Sequence, residues 1–143
     1  MSELLYKQEV FRLVGLCMEI HRELGKGHDE VIYKDAFVVE LSRSGIPFDR
    51  ELKYEVRYKG VILPHHYRAD FVVWNKILFE AKAVEKLVEA HVKQVLNYLA
   101  ASGLELGLLV NFGTDSLEWK RVVCREPQAH FQPKAWQLRH ASA

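Results

Sequence analysis

Cysteine is scarce in this chain. Cys17 and Cys124 are its two cysteines, and a separation that long forms neither a redox pair nor a zinc knuckle. A disulfide-stapled scaffold is therefore not expected, and two reduced thiols in a cytoplasmic protein are. Long apolar runs are also missing, with none approaching the ~18 residues of a membrane span. Glu3, Lys7, Glu9 and Arg12 interrupt the opening dozen residues, which is not the pattern of a secretory leader. Excess charge of one sign is lacking too. Lys and Arg total 20 against 19 Asp and Glu, so no global basic field advertises a polyanionic partner, although a local patch is still allowed. Repeats and low-complexity segments are absent.

What remains is ordinary for a globular domain: 49% apolar and 27% charged residues over 143 positions. That length suits one domain, with roughly two thirds of the unfolded surface buried. Residues 3 to 24 carry Leu5, Val10, Leu13, Val14, Cys17, Ile20 and Leu24 at helical spacing. The glycines of Gly25-Lys26-Gly27 end that helix. A second helix is expected from Asp29 to Ser44, burying Ile32, Phe37, Val38 and Leu41. From Phe48 the period falls to two. "FDRELKYEVRYKG" reads as a strand with mixed faces closed by a turn at Lys59-Gly60, and "HYRADFVVW" and "ILFEAKAV" as two more strands. Residues 85 to 102 form a third helix with Leu87, Val88, Val92, Val95, Leu96 and Leu99 on its apolar side. "LELGLLVNFG" is nearly continuous apolar sequence, as in a strand covered on both faces. "LEWKRVVC" supplies a last strand, and the stretch from 126 to 143 stays unassigned. The order α-α-β-β-β-α-β-β predicts a mixed sheet flanked by helices, an α/β (α+β) domain over residues 1 to 125.

Within "ADFVVWNKILFEAK" the charged Asp70, Glu80 and Lys82 interrupt an apolar hairpin. Loop parity decides whether they meet. A two-residue turn at Asn75-Lys76 sends Asp70 and Glu80 to opposite faces. A three-residue loop, Trp74 to Lys76, sets Asp70 directly across from Glu80 and gathers Phe71, Val73, Ile77, Phe79 and Ala81 on one side. The second register is the expected one, with Lys82 on the face of Glu80. Two carboxylates that close repel each other unless a cation neutralises them. Mg²⁺ or Mn²⁺, with hard oxygen ligands and a shell completed by water, suits the pair, and the trio then suits phosphodiester hydrolysis. On spacing alone, a solvent-facing strand with a Glu–Lys pair explains it at least as simply.

Asp70 followed by Glu80-Ala81-Lys82 in consecutive strands before a helix resembles the PD-(D/E)XK nuclease superfamily. "QVLNY", with Gln94 and Tyr98 one helical turn apart, is similar to the Q-x-x-x-Y element of its RecB-like exonuclease branch. "GHDEVIY" reproduces G-x-x-E-x-x-Y with Gly27, Glu30 and Tyr33, and "LGLLVNFG" strengthens the likeness to the GxxExxY family. The likeness covers about residues 5 to 125. It implies a restriction-endonuclease-like core and a metal-dependent nuclease acting on nucleic acid, DNA ahead of RNA. It further implies that Asp70 and Glu80, with the Ala81 carbonyl and Glu30, bind Mg²⁺ or Mn²⁺, and that Lys82 serves the attacking water and the transition state. Gln94, Tyr98, Tyr33 and Arg68 would contact the nucleic acid or brace the site. Ala69 stands where the namesake motif has proline.

Competing readings stay open at this point. Glu30 also suits the positive end of a helix dipole, Tyr33 also suits a packed core, and Arg68 also suits a salt bridge to Glu80. A catalytically silent nuclease-fold module, binding nucleic acid or another protein, is the alternative function. It draws support from the small size and near-neutral charge, since nucleic-acid affinity rests on several phosphate contacts. A homodimer or a partner protein would supply extra surface, and no membrane is implied.

Overall fold

The computed structural model describes residues 4–124; the unassigned stretch from 126 to 143 lies outside them. The elements follow the expected order: α1 (Lys7–Leu24), α2 (Glu30–Arg43), β1 (Phe48–Tyr58), β2 (Val61–Val73), β3 (Ile77–Lys82), α3 (Glu89–Ser102), β4 (Leu106–Asn111) and β5 (Glu118–Val123). The five strands lie side by side in sequence order. All neighbours are antiparallel except β3 and β4, which run parallel. A parallel pair needs a crossover, and α3 is that crossover.

Strand alternation divides the core into two layers. Phe71, Val73, Ile77, Phe79, Leu106, Leu108 and Val110 pack against the buried stripes of α1 and α2. Val72, Leu78 and Leu109 pack with Val95 and Leu99 of α3 on the other face. The buried stripe of α2 is Tyr33, Phe37 and Leu41, a spacing of four that keeps one side of a helix. Ile32, expected inside, is therefore turned outward at 41% exposure, and Val38 is only half-buried.

Three boundaries differ from expectation. The first helix begins at Lys7, because Tyr6 takes a left-handed backbone. The third begins at Glu89 rather than residue 85. Val84 is hydrogen-bonded through both its N–H and its C=O to the Asn111 side chain, and that tether holds the preceding stretch out of a helix. Val88 is exposed as a result, while Leu87 is buried. β2 starts at Val61, well before the expected His66, because Lys59 and Gly60, both at positive φ, turn the chain straight back.

The β1–β2 ladder carries an irregularity between Glu55 and Arg57. Tyr58 pairs with Val61 and Arg57 with Ile62, whereas Glu55 pairs with His66. Two extra residues on β2, next to Pro64, are absorbed there, where the missing proline N–H leaves no ladder bond to lose. The slip places Glu51 opposite Asp70, between the pairs Arg50–Phe71 and Leu52–Ala69. At that level both strands exchange faces. Phe71 belongs to the layer under α1 and α2, and Arg50 lies over its ring; Leu52, Ala69 and Tyr67 belong with α3. Glu51 absorbs the change with φ of 56°, a strained value for a residue with a Cβ.

Candidate active site

The hairpin joining β2 and β3 takes the three-residue register. Val73 pairs with Ile77, Val72 with Leu78 and Phe71 with Phe79. The loop turns through Trp74 and Asn75, both at φ 55°, with Lys76 N–H donating to the Val73 carbonyl. One step beyond Phe71–Phe79, backbone pairing gives way to side chains. Asp70 N–H donates to Glu80 Oε2 at 2.6 Å, and Ala81 N–H donates to Asp70 Oδ2 at 2.9 Å. Each carboxylate thus satisfies an amide of the opposite strand that the ladder has abandoned. This answers why a sheet tolerates two acids there.

Both acids are enclosed, Asp70 at 8% and Glu80 at 3% exposure. Burial, and next the charge of Asp70, push the Glu80 carboxyl well above the usual carboxylate range. The Asp70 amide, Lys82 and Lys34 pull less strongly the other way. The pair is therefore short of positive charge. Its donors are hard oxygens, and Mg²⁺ is commonly held by one or two carboxylates with water filling the shell. The residues fit such an ion. They do not form a closed cage, because no cluster of three His, Cys, Asp or Glu gathers in ligand geometry among the described residues.

Two ammonium groups attend the acids from opposite layers. Lys82 Nζ donates to Gln94 Oε1 of α3 at 3.0 Å. Lys34, from α2, donates to Asp70 Oδ1 at 3.1 Å and lies 3.5 Å from both Glu30 Oε2 and Glu51 Oε1. Burial works to lower the Lys34 pKa, but the charge and hydrogen bond of Asp70, with Glu51 and Glu30, outweigh it and raise it above its ordinary value. Neither Lys34 nor Glu51 was singled out in the sequence. The available signal for Lys34 was its place one turn after Glu30, a spacing shared by many solvated surface pairs.

The remaining candidates fall into distinct positions. Glu30 is the first residue of α2 and reaches Asp70 through Lys34. Tyr98, one turn past Gln94, packs its ring 5.2 Å from that of Tyr67. Burial and the charges of Glu80 and Asp70 raise its hydroxyl to about 12. Tyr33 is fully enclosed and has no surface to offer a nucleic-acid strand. Its hydroxyl donates to the Gly25 carbonyl at 2.6 Å and accepts from His28 N–H at 3.2 Å, fixing the loop that leads into Glu30. Its ring stacks on Phe112 at 4.7 Å, and Phe112 N–H holds the Lys82 carbonyl. Arg68 is exposed and forms no ion pair with Glu80; its guanidinium lies 3.5 Å from His66 Nε2.

Asn111 and Gly113 explain the "NFG" segment. Asn111 is fully buried, and its side chain bonds Val84 N–H, Val84 C=O, Gly113 N–H and Glu118. A Cβ on Gly113 would overlap the Val84 backbone. These contacts pin the chain as it leaves Lys82.

No curated protein matches the chain significantly. Among solved structures, SSO0001 is similar with a TM-score of 0.48 and 17% identity, over 94% of this chain and 85% of that one. An alkaline exonuclease, LHK-Exo from Laribacter hongkongensis, is similar with a TM-score of 0.49 and 13% identity, over 86% and 72% of the two chains. The family model described as PD-(D/E)XK nuclease superfamily matches residues 7–122. Asp70, Glu80 and Lys82 stand in the middle of that span, and the chain belongs to the PD-(D/E)XK nuclease superfamily.

Proposed function

We propose that this chain is a metal-dependent nuclease that hydrolyses phosphodiester bonds of nucleic acid, DNA ahead of RNA, within the GxxExxY group and the RecB-like branch. The observation that carries this is the exchange of hydrogen bonds between Asp70 and Glu80 at the level where their strands part, with Lys82 tethered beside them. Asp70, Glu80 and the Ala81 carbonyl would hold Mg²⁺ or Mn²⁺, with Glu30 as a further ligand. The ion would supply Lewis-acid polarisation of the phosphate and a source of nucleophile at neutral pH.

The chain's own groups do the rest. Gln94 takes one hydrogen bond from Lys82 and so restrains where the ammonium stands. Lys82 then meets the attacking water and the negative charge that builds on the phosphate oxygens. Tyr98 stays protonated at neutral pH because its pKa lies at about 12, so it acts as a neutral donor beside Gln94. Lys34 neutralises Asp70 from the side opposite Lys82.

The test is cleavage of labelled single- and double-stranded DNA and RNA with Mg²⁺, Mn²⁺ or EDTA. Wild type runs beside Asp70→Asn and Lys82→Ala, with folding of each followed by circular dichroism. Metal-dependent cutting that both variants lose is the expected result. Equal cutting by the variants, or none by wild type, sinks the catalytic assignment and leaves the silent binding module.

A further inference from the structure

β2 is paired to β3 only from Phe71 to Val73, so residues 52 to 68 leave the sheet as a two-stranded arm. One side of that arm is covered by α3 through Leu52, Tyr54 and Tyr67. The other side carries the cross-strand cations Lys53 and Arg68, while Arg57 further along is paired with Glu55 at 3.6 Å. In a chain of net charge +1, this is a local concentration of positive charge. Lys53 and Arg68 are direct cross-strand partners, and both are exposed. Like charges facing each other across a ladder destabilise it. None of the ion pairs among the described residues relieves either one.

The repulsion sits next to the acids. Arg68 is two residues from Asp70, roughly 6–7 Å along the strand, with the exchange of faces between them, so a polyanion seated at the carboxylates meets the cation pair by following that bend. A two-stranded ribbon also has the dimensions to follow the major groove of a duplex. We propose that the β1–β2 arm is the duplex-DNA grip of this nuclease, with Lys53 and Arg68 clasping a phosphate beside the one presented to Asp70, Glu80 and Lys82. This rests on the nuclease reading above. The cross-strand repulsion is tolerated because the bound backbone relieves it.

The experiment measures fluorescence anisotropy of a short labelled DNA duplex, and of its single strand, titrated with Asp70→Asn protein at several KCl concentrations. The same background then carries Lys53→Ala with Arg68→Ala, Lys53→Glu, or Lys120→Ala on β5 at the far edge of the sheet. The double variant is expected to bind duplex at least about tenfold more weakly at low salt, with a log–log salt slope shallower by about 2. Lys53→Glu creates an opposite-charge pair with Arg68, so it should melt higher yet bind more weakly, which separates lost binding from lost folding. Lys120→Ala should change nothing. Unchanged affinity and slope in both arm variants, with the Asp70→Asn parent binding duplex, overturns the arm and leaves the nuclease reading standing. A parent that binds only the single strand also overturns the arm. A parent that binds neither overturns both.

Discussion

Lys34 holds an ammonium among three carboxylates with only 13% of its side chain exposed, so its removal leaves Asp70 buried beside Glu80 with one cation fewer. Hydrogen bonds to charged groups are worth about 1.5–3 kcal/mol. Lys34→Met should therefore lower the stability of the metal-free protein by about 2 kcal/mol, and added Mg²⁺ should recover more stability in the variant than in wild type. Urea melts with and without Mg²⁺ check this; equal melts for the two proteins would remove Lys34 from the electrostatics of the site. Glu80 makes a prediction of opposite character. Its folded-state pKa is raised, so between the ordinary glutamate range and that higher value the folded chain holds more protons than the unfolded one. Stability from this group falls as pH rises through that window. Glu80→Gln cannot ionise, so melts from about pH 5 to pH 8 should show a loss of stability in metal-free wild type that the variant lacks. Parallel curves would count against it.

At the scale of elements, the strand-loop-strand of β2 and β3 shows what a sequence reveals. Parity alone placed Asp70 across from Glu80, because only an odd loop puts Phe71, Val73, Ile77 and Phe79 on one side. Helix faces were less legible. A helix boundary set by Asn111, distant in sequence from Val84, leaves no local trace, so the stretch before Glu89 read as helix. The partner of Glu51 was hidden for a related reason. From the Lys59-Gly60 turn, simple counting sets it across from Arg68, and only the irregularity beside Pro64 moves it to Asp70. The clamp that Asn111 and Gly113 form on Val84 is testable. Asn111→Ala strands several buried polar groups and should cost about 3 kcal/mol or more. Gly113→Ala must displace the Val84 backbone, at roughly 1–3 kcal/mol. Chemical denaturation measures both, and a near-neutral Gly113→Ala would show that the segment yields freely.

For the whole molecule, the fold class was legible because helical and strand periods alternate cleanly along the chain, and the carboxylate–lysine trio was legible because it lies within one hairpin. The support around it was not, since Lys34, Glu51 and Asn111 arrive from three other elements, α2, β1 and β4. That division has a consequence for how the chain folds. Asp70, Glu80 and Lys82 need only a short loop to close, an event of about 1–10 μs for a hairpin, whereas the parallel β3–β4 pairing waits for the α3 crossover between them. Kinetic φ-values should accordingly be higher for Val72→Ala and Leu78→Ala than for Leu109→Ala, and the reverse ranking would place the nucleus at the crossover. With the hairpin closed first, the acids stay open to water until α3 docks, and the energetic penalty of enclosing them falls on that later step.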